Sequence, residues 1–270
     1  MTVKGVDISE MNGSVDFGAL QRAGVQFVLI RCGYGSDFSH QDDARFHENV
    51  AKAGQAGIPW GAYLYSYALN ASMAKSEAAH TLRLLEGRRP AYGVWYDVED
   101  PSQSGADLPA VCQAYCQAIE GQGLYVGVYS MLGWWEGKLN DPRLDAYDKW
   151  VAQWAGACGY QKPYGMWQFT DRWEIGGRVF DGNWAYKDYP ALTAGKKEGG
   201  TMGYGDFRAH MERYCREQAA QPISGWAGPA VEFVKKRGLM VGDSSFRAHS
   251  PVTRQELAQA LRNLLEGGGQ

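Results

Sequence analysis

The chain has 270 residues, 45% of them hydrophobic and 21% charged, with a formal net charge of −3. That length and apolar content bury a full core in one large domain, or one large and one small, and exclude a disordered or fibrous chain. No run approaches the roughly 18 apolar residues of a membrane span, and Asp7 and Glu10 interrupt the segment where the apolar core of a signal peptide would run.

Strand-like and helix-like segments alternate from the start. Residues 3–8 read as a strand, 16–23 as a helix, 26–32 as a strand and 41–56 as a helix. The pattern continues with a strand at 60–67, a helix at 72–85, a strand at 92–98 and a helix at 107–121. Strands follow at 125–129, 150–154, 165–169 and 179–181. Alternation of this kind predicts a parallel sheet, and eight strands suggest closure into a barrel. After Tyr129 the connections are too short for full helices, so the expected fold is α/β, an irregular TIM-like barrel over residues 1–190. An open doubly wound sheet remains an alternative, but it usually brings a Gly-rich phosphate loop after the first strand, and none is there.

Residues 191–221 read as a linker containing a helix. TAGKKEGGTMG is rich in Gly and Lys, and 206–220 has helix-forming composition with Asp206 as its N-cap. Residues 222–270 form a small α-helical unit. An amphipathic stretch at 226–237 is followed by a loop, and Thr253 with Glu256 forms a capping box at the head of a helix over 255–265. Such a unit is too small to hide its apolar faces alone. It is expected to pack on the first domain, on the 206–220 helix or on copies of itself.

Charge and rings are unevenly spread. Residues 1–190 carry 16 Lys+Arg against 22 Asp+Glu, whereas the remainder carries 11 against 8. An acidic front argues against nucleic acid as a partner. Nine of the 10 Trp and 14 of the 16 Tyr lie before residue 190, where they fill a core or line a sugar-stacking groove. The five cysteines follow no zinc spacing and no histidine sits in a metal-ligand motif, so no cofactor is expected and zinc is disfavoured.

The segment AYGVWYDVED places Asp97 and Glu99 two apart near a strand's C-terminal end, on one face. Neighbouring carboxyls raise each other's proton affinity, as required of a general acid that cleaves a glycosidic bond. Asp7 ends the first strand and Asp181 the last, so closure of the barrel would bring all four acids to one rim, where active sites of such barrels lie. A Mg²⁺ or Ca²⁺ site is the competing explanation for the cluster.

GVDIS, FVLIRCGYG, GAYLYSY, the DVE triplet, VGVYS, WVAQW, MWQF and FDGNW stand in order along the first 190 residues. Together they resemble the family 25 glycoside hydrolases, which are lysozymes (N-acetylmuramidases) common among phage endolysins. The resemblance implies an irregular barrel of eight strands and about five helices. It also implies hydrolysis of the β-1,4 bond between N-acetylmuramic acid and N-acetylglucosamine in peptidoglycan. By this resemblance Glu99 is the general acid and Asp97 its partner carboxylate. Asp7 and Asp181 complete the catalytic cleft. Tyr63, Tyr65, Tyr129, Trp154 and Trp167 become sugar platforms, with Gln168, Asn183 and Arg31 as polar neighbours that either bond within the barrel or touch substrate. Leu64 departs from the polar residue or His that many relatives carry, which puts the hydrogen bonding of that wall in question. The family's substrate-assisted route implies net retention, while inversion with Asp181 or Asp97 as base stays open.

WAGPAVEFVKKRGLMVGDSSFRAHSPVTRQELAQAL resembles one surface-layer homology module, with VTRQE at its signature. The resemblance implies binding to an anionic secondary cell-wall polymer through Arg254, with Trp226 at the same module, or self-association into a homo-oligomer. Two rivals to the hydrolase stand beside it: a non-catalytic wall-carbohydrate binder on a degenerate barrel, and a chitinase-like glycosidase. The expected setting is synthesis in the host cytoplasm, without membrane insertion, and action at the bacterial wall after holin-mediated release or lysis.

Overall fold

The alternating segments produce a closed barrel whose eight strands follow chain order around the ring. β1 (Val3–Ile8), β2 (Phe27–Tyr34), β3 (Trp60–Tyr65), β4 (Val94–Asp97), β5 (Val126–Met131) and β6 (Asp148–Ala152) each pair in parallel with the next, ending at β7 (Met166–Ile175). β8 (Arg178–Ala185) closes the ring antiparallel to both β7 and β1. The expected all-parallel sheet is corrected at this strand. Only Gly176 and Gly177 separate β7 from β8, both at positive φ, and a two-residue turn joins only antiparallel neighbours. This computed structural model describes residues 2–194 and, beyond them, Glu232, Phe233 and Lys236, which are helical. The chain divides into two compact units, Met1–Lys196 and Lys197–Gln270.

Four helices cover the early strands: α1 (Phe17–Arg22), α2 (Phe46–Gln55), α3 (Ala71–Leu85) and α4 (Leu108–Glu120). Asp16, Asn70 and Asp107 cap α1, α3 and α4 by accepting from backbone N–H groups of the first turn. The helix expected over 41–56 begins only at Phe46, because the acids before it bond elsewhere. Asp43 accepts from Arg31 Nε and from the N–H groups of Glu10 and Arg45, while Asp42 pairs with Arg83. After β5 there is only the five-residue α5 (Leu132–Glu136), and β8 is followed by α6 (Tyr189–Thr193). α6 belongs to the barrel: buried Tyr189 donates its hydroxyl to Asp148 Oδ2 at 2.7 Å, beside Tyr125 at 2.8 Å.

Strand residues alternate between two apolar layers. The outer one joins Val6, Ile8, Val28, Ile30, Leu64 and Tyr96 to Leu85 of α3 and Tyr115 of α4. The inner one fills the lumen with Phe27, Leu29, Tyr63, Trp95, Tyr129 and Trp150. Phe27 stacks on Tyr92 with ring centroids 4.3 Å apart, and Trp95 meets Trp150 edge-on at 5.9 Å. Rings of this size exclude a facing side chain. A Cβ at Gly5 would stand 2.6 Å from Phe27, and one at Gly127 would overlap Trp95. Much of the aromatic and glycine excess is therefore one steric arrangement. Leu64 needs a correction: the alternation that turns Tyr63 and Tyr65 inward turns Leu64 outward into the helix-facing layer, so it has no part in the wall of the lumen.

Candidate active site

The site forms where the inner layer stops short of the strands' C-terminal ends. Asp7 and Asp181 are directly paired across β1 and β8. Asp97 is the last residue of β4, between Tyr65 on β3 and Tyr129 on β5. These residues, with Glu99, line a cavity of about 130 Å³ together with Arg31, Tyr63, Trp150 and Gln168.

Glu99 lies beyond the strand and depends on its loop for position. Asp100 caps the 3-10 turn at residues 101–105 through Ser102 N–H and accepts the Tyr65 hydroxyl at 3.2 Å. Gln103 of that turn donates to Ser66 Oγ and Ala68 O, each at 2.9 Å. The Ser66 and Tyr96 hydroxyls converge on Glu77 Oε2 at 2.8 and 2.5 Å, and Tyr67 N–H reaches Oε1 at 2.9 Å. One fully buried carboxyl on α3 thus ties the ends of β3 and β4 to the turn after Glu99. Burial is also what raises the proton affinity of Glu77.

A second network holds Asp7. Gln168 Nε2 and Asn183 Nδ2 both donate to Asp7 Oδ2, at 3.0 and 2.7 Å. Trp150 Nε1 donates to Asn183 Oδ1 at 2.8 Å, and Gln168 Oε1 accepts from Tyr129 and Trp154 at 3.1 and 3.2 Å. Asp97 is the contrast. Only 5% exposed, it leaves Oδ1 without a hydrogen-bond partner.

All four carboxyls hold their protons more tightly than free acids. Burial is the main cause for Asp7, with Asp181 adding repulsion against the lowering effect of Asn183 and Gln168. Asp97 is raised by burial, then by Glu99 and Asp7, with Arg31 opposing. For Glu99 the order is burial, a lowering contact with the Tyr129 hydroxyl, then Asp181 and Asp100. Asp181 is raised by burial and Asp171, against a hydrogen bond from Asp7. Arg31 does little to neutralise them, since its Nε and one terminal nitrogen are bound to Asp43 and Glu10 at 2.9 and 3.0 Å. The result is a cluster of carboxyls with raised proton affinity facing a polar cavity, an arrangement suited to acid catalysis on a neutral substrate. Among the described residues no group of three or more His, Cys, Asp or Glu is arranged to hold a metal ion.

The structure brings Asp7, Arg31, Tyr63, Tyr65, Asp97, Glu99, Tyr129, Gln168 and Asp181 to this cavity. Asn183 is fully buried beneath Asp7 and bonds within the barrel. Trp154 stands at the rim, 56% exposed. Trp167 is corrected: as neighbour of inward Gln168 it points out of the lumen, 5.9 Å from Phe169, with its indole N–H on Gln153 O. Trp150, Glu10 and Asp43 escaped the sequence reading. Trp150 was recognisable only as the start of a strand, and nothing local marks the two acids as partners of Arg31. Trp226 and Arg254 lie outside the described residues.

A family model described as glycosyl hydrolases family 25 matches residues 6–178, and one described as S-layer homology domain matches residues 220–258. The chain is 28% identical over 181 residues to the autolytic lysozyme of Clostridium acetobutylicum, covering 65% of this chain and 52% of that protein. It therefore spans about half the length of this curated relative. Among solved structures, the modular autolysin LytC from Streptococcus pneumoniae superimposes with a TM-score of 0.62 at 28% identity, covering 68% of this chain and 47% of that one. The catalytic domain of endolysin ply40 from a Listeria monocytogenes bacteriophage gives 0.60 at 25%, covering 73% and 98%.

Proposed function

The chain belongs to glycoside hydrolase family 25, and from that membership we propose that its barrel is a muramidase, hydrolysing the β-1,4 bond between N-acetylmuramic acid and N-acetylglucosamine of peptidoglycan. The observation that carries this reading is the convergence of four carboxyls of raised proton affinity on one cavity walled by Tyr63, Tyr65, Tyr129 and Trp150. A protein that only bound sugars would have no use for two buried and two half-buried acids held together at the cost of mutual repulsion.

Glu99 gives its proton to the leaving glycosidic oxygen as the bond breaks. Positive charge then develops at the anomeric carbon, and the substrate's own acetamido oxygen closes on it to form an oxazolinium. Asp97, with Oδ1 unpartnered, accepts the acetamido N–H and aligns that oxygen. Water, deprotonated by Glu99 in its ionised form, opens the ring with net retention at carbon 1. Asp7 and Asp181 share protons behind the pair and keep its charge low. Tyr63, Tyr65 and Tyr129 offer ring surface to the sugars within the cavity, and Trp154 does so at its rim.

The S-layer homology segment associates the enzyme with the cell wall. Within it, Arg254 and Trp226 are the proposed contacts to an anionic secondary wall polymer, since a guanidinium pairs two-pronged with a carboxylate. Self-association of the module is the other outcome, and light scattering of the full chain reads it directly. Among the described residues no helix is long and apolar enough to cross a membrane. The catalytic reading is tested by turbidity loss of purified walls: the wild-type chain clears them, and Glu99→Gln, with an unchanged circular dichroism spectrum, does not. Clearing at near wild-type rate by Glu99→Gln removes Glu99 from the role of acid.

A further inference from the structure

Gln168 carries its amide between two unlike neighbours, and only one orientation satisfies both. Trp154 Nε1–H is a donor with no acceptor capacity, and it lies 3.2 Å from Gln168 Oε1. Turned over, the amide would set its NH₂ against that indole N–H and its oxygen against Asp7 Oδ2. Trp150 locks Asn183 in the same way, so both amides aim N–H at one carboxyl oxygen of Asp7.

The lock extends to the acid. The hydroxyl of Tyr129 donates its single proton to Gln168 Oε1 at 3.1 Å, which leaves its oxygen free to accept. That hydroxyl and Glu99 line the same cavity, and the hydroxyl favours the ionised form of Glu99. While Glu99 is protonated, its O–H can donate to Tyr129, whose own proton stays on Gln168. Once Glu99 has lost its proton, the hydroxyl must turn and donate to the new carboxylate. Gln168 Oε1 then loses a donor, but Trp154 still serves it.

Resting on the muramidase reading above, we infer that Trp154 is a positioning residue for Glu99, its indole N–H holding Gln168 so that the Tyr129 hydroxyl can switch between the amide and the acid as the proton leaves and returns. Without the indole donor the switch strands one acceptor, either Gln168 Oε1 or the Glu99 carboxylate. Ionised Glu99 is then disfavoured and proton transfer to the leaving oxygen slows.

Other groups face Glu99, and Asp7 among them also takes a hydrogen bond from Gln168, so the Tyr129→Phe background is needed to separate the two routes. Asp97 lies on the same strand end, with Asp100 alongside in the loop. Asp7 and Asp181 face it from β1 and β8, Arg31 from β2, and Tyr63 and Tyr65 from β3.

The test is Trp154→Phe in the full chain, which removes the indole N–H and keeps a smaller aromatic ring at the rim. Assayed on soluble uncrosslinked peptidoglycan fragments, it is expected to lower kcat about tenfold, beyond whatever the smaller ring at the rim does to KM. The high-pH limb of kcat/KM, which reports loss of the Glu99 proton, is expected to move up by about half to one pH unit. In a Tyr129→Phe background the same substitution should move the limb no further, because its effect passes through the hydroxyl. A limb that stays or moves down, a loss confined to KM, or an equal further shift in the Tyr129→Phe background overturns the inference. Failure of the wild-type chain to cut these fragments would instead overturn the muramidase reading.

Discussion

Replacement of Asp97 by Asn should stabilise the protein near pH 7 while removing activity. Asp97 is buried, its Oδ1 has no partner, and burial, Glu99 and Asp7 all raise its proton affinity. A carboxyl of this kind takes up a proton on folding. Its cost is absent below both the unfolded and folded pKa values and grows as pH climbs through the folded one. Asn cannot ionise, so it escapes that cost while keeping the shape. At a pH above both pKa values, each pH unit by which folding raises the pKa costs about 1.4 kcal/mol, and Asn removes that cost. At about 2–4 °C per kcal/mol for a barrel of this size, Asp97→Asn should melt about 3–6 °C higher for each pH unit by which folding raises the Asp97 pKa. Near-UV circular dichroism follows the barrel selectively, because nine of the 10 Trp precede residue 190. Melting both proteins at about pH 7 and about pH 4 separates the charge effect from a packing effect. The gain should shrink at the lower pH, where the unfolded chain also begins to hold that proton. A variant that melts at or below wild type near pH 7, or gains equally at both values, refutes the assignment of a buried, costly carboxyl.

Two further outcomes follow from the same geometry. Gly127→Ala should destabilise the barrel by about 1–3 kcal/mol, since its Cβ would overlap Trp95 in a fully buried lumen, and a denaturation midpoint equal to wild type would contradict that packing. Proton NMR of the first product should show the β-anomer ahead of mutarotation, as retention requires; prompt α-anomer would assign the reaction to direct displacement by water.

How much of this was readable beforehand depends on whether the signal is local. The acids were, because a carboxylate closing an apolar run is conspicuous at Asp7, Asp97 and Asp181, and ring closure alone sets the first and last of these side by side. The inward set of rings was half legible. Period-2 alternation turns Tyr63 and Tyr65 inward, and the same rule applied to Leu64 and Trp167 sends them out, yet membership of an aromatic cluster outweighed it in the sequence reading. The antiparallel last strand was written in Gly176–Gly177, whose turn chemistry forbids a crossover. The supporting cast was not legible. Glu77 sits in an ordinary helical stretch, and Glu10 and Asp43 are far from Arg31 in sequence. Their roles exist only once α3 lies on β3 and β4, and once the loops after β1 and β2 meet over the barrel.

The central claim is the bond that is cut and the group that cuts it. Peptidoglycan digested by the full chain, reduced with borohydride and analysed by mass spectrometry, should carry its new reducing ends on N-acetylmuramic acid, and Glu99→Gln should generate none. New ends on N-acetylglucosamine, or new ends formed equally well by Glu99→Gln, would contradict the account.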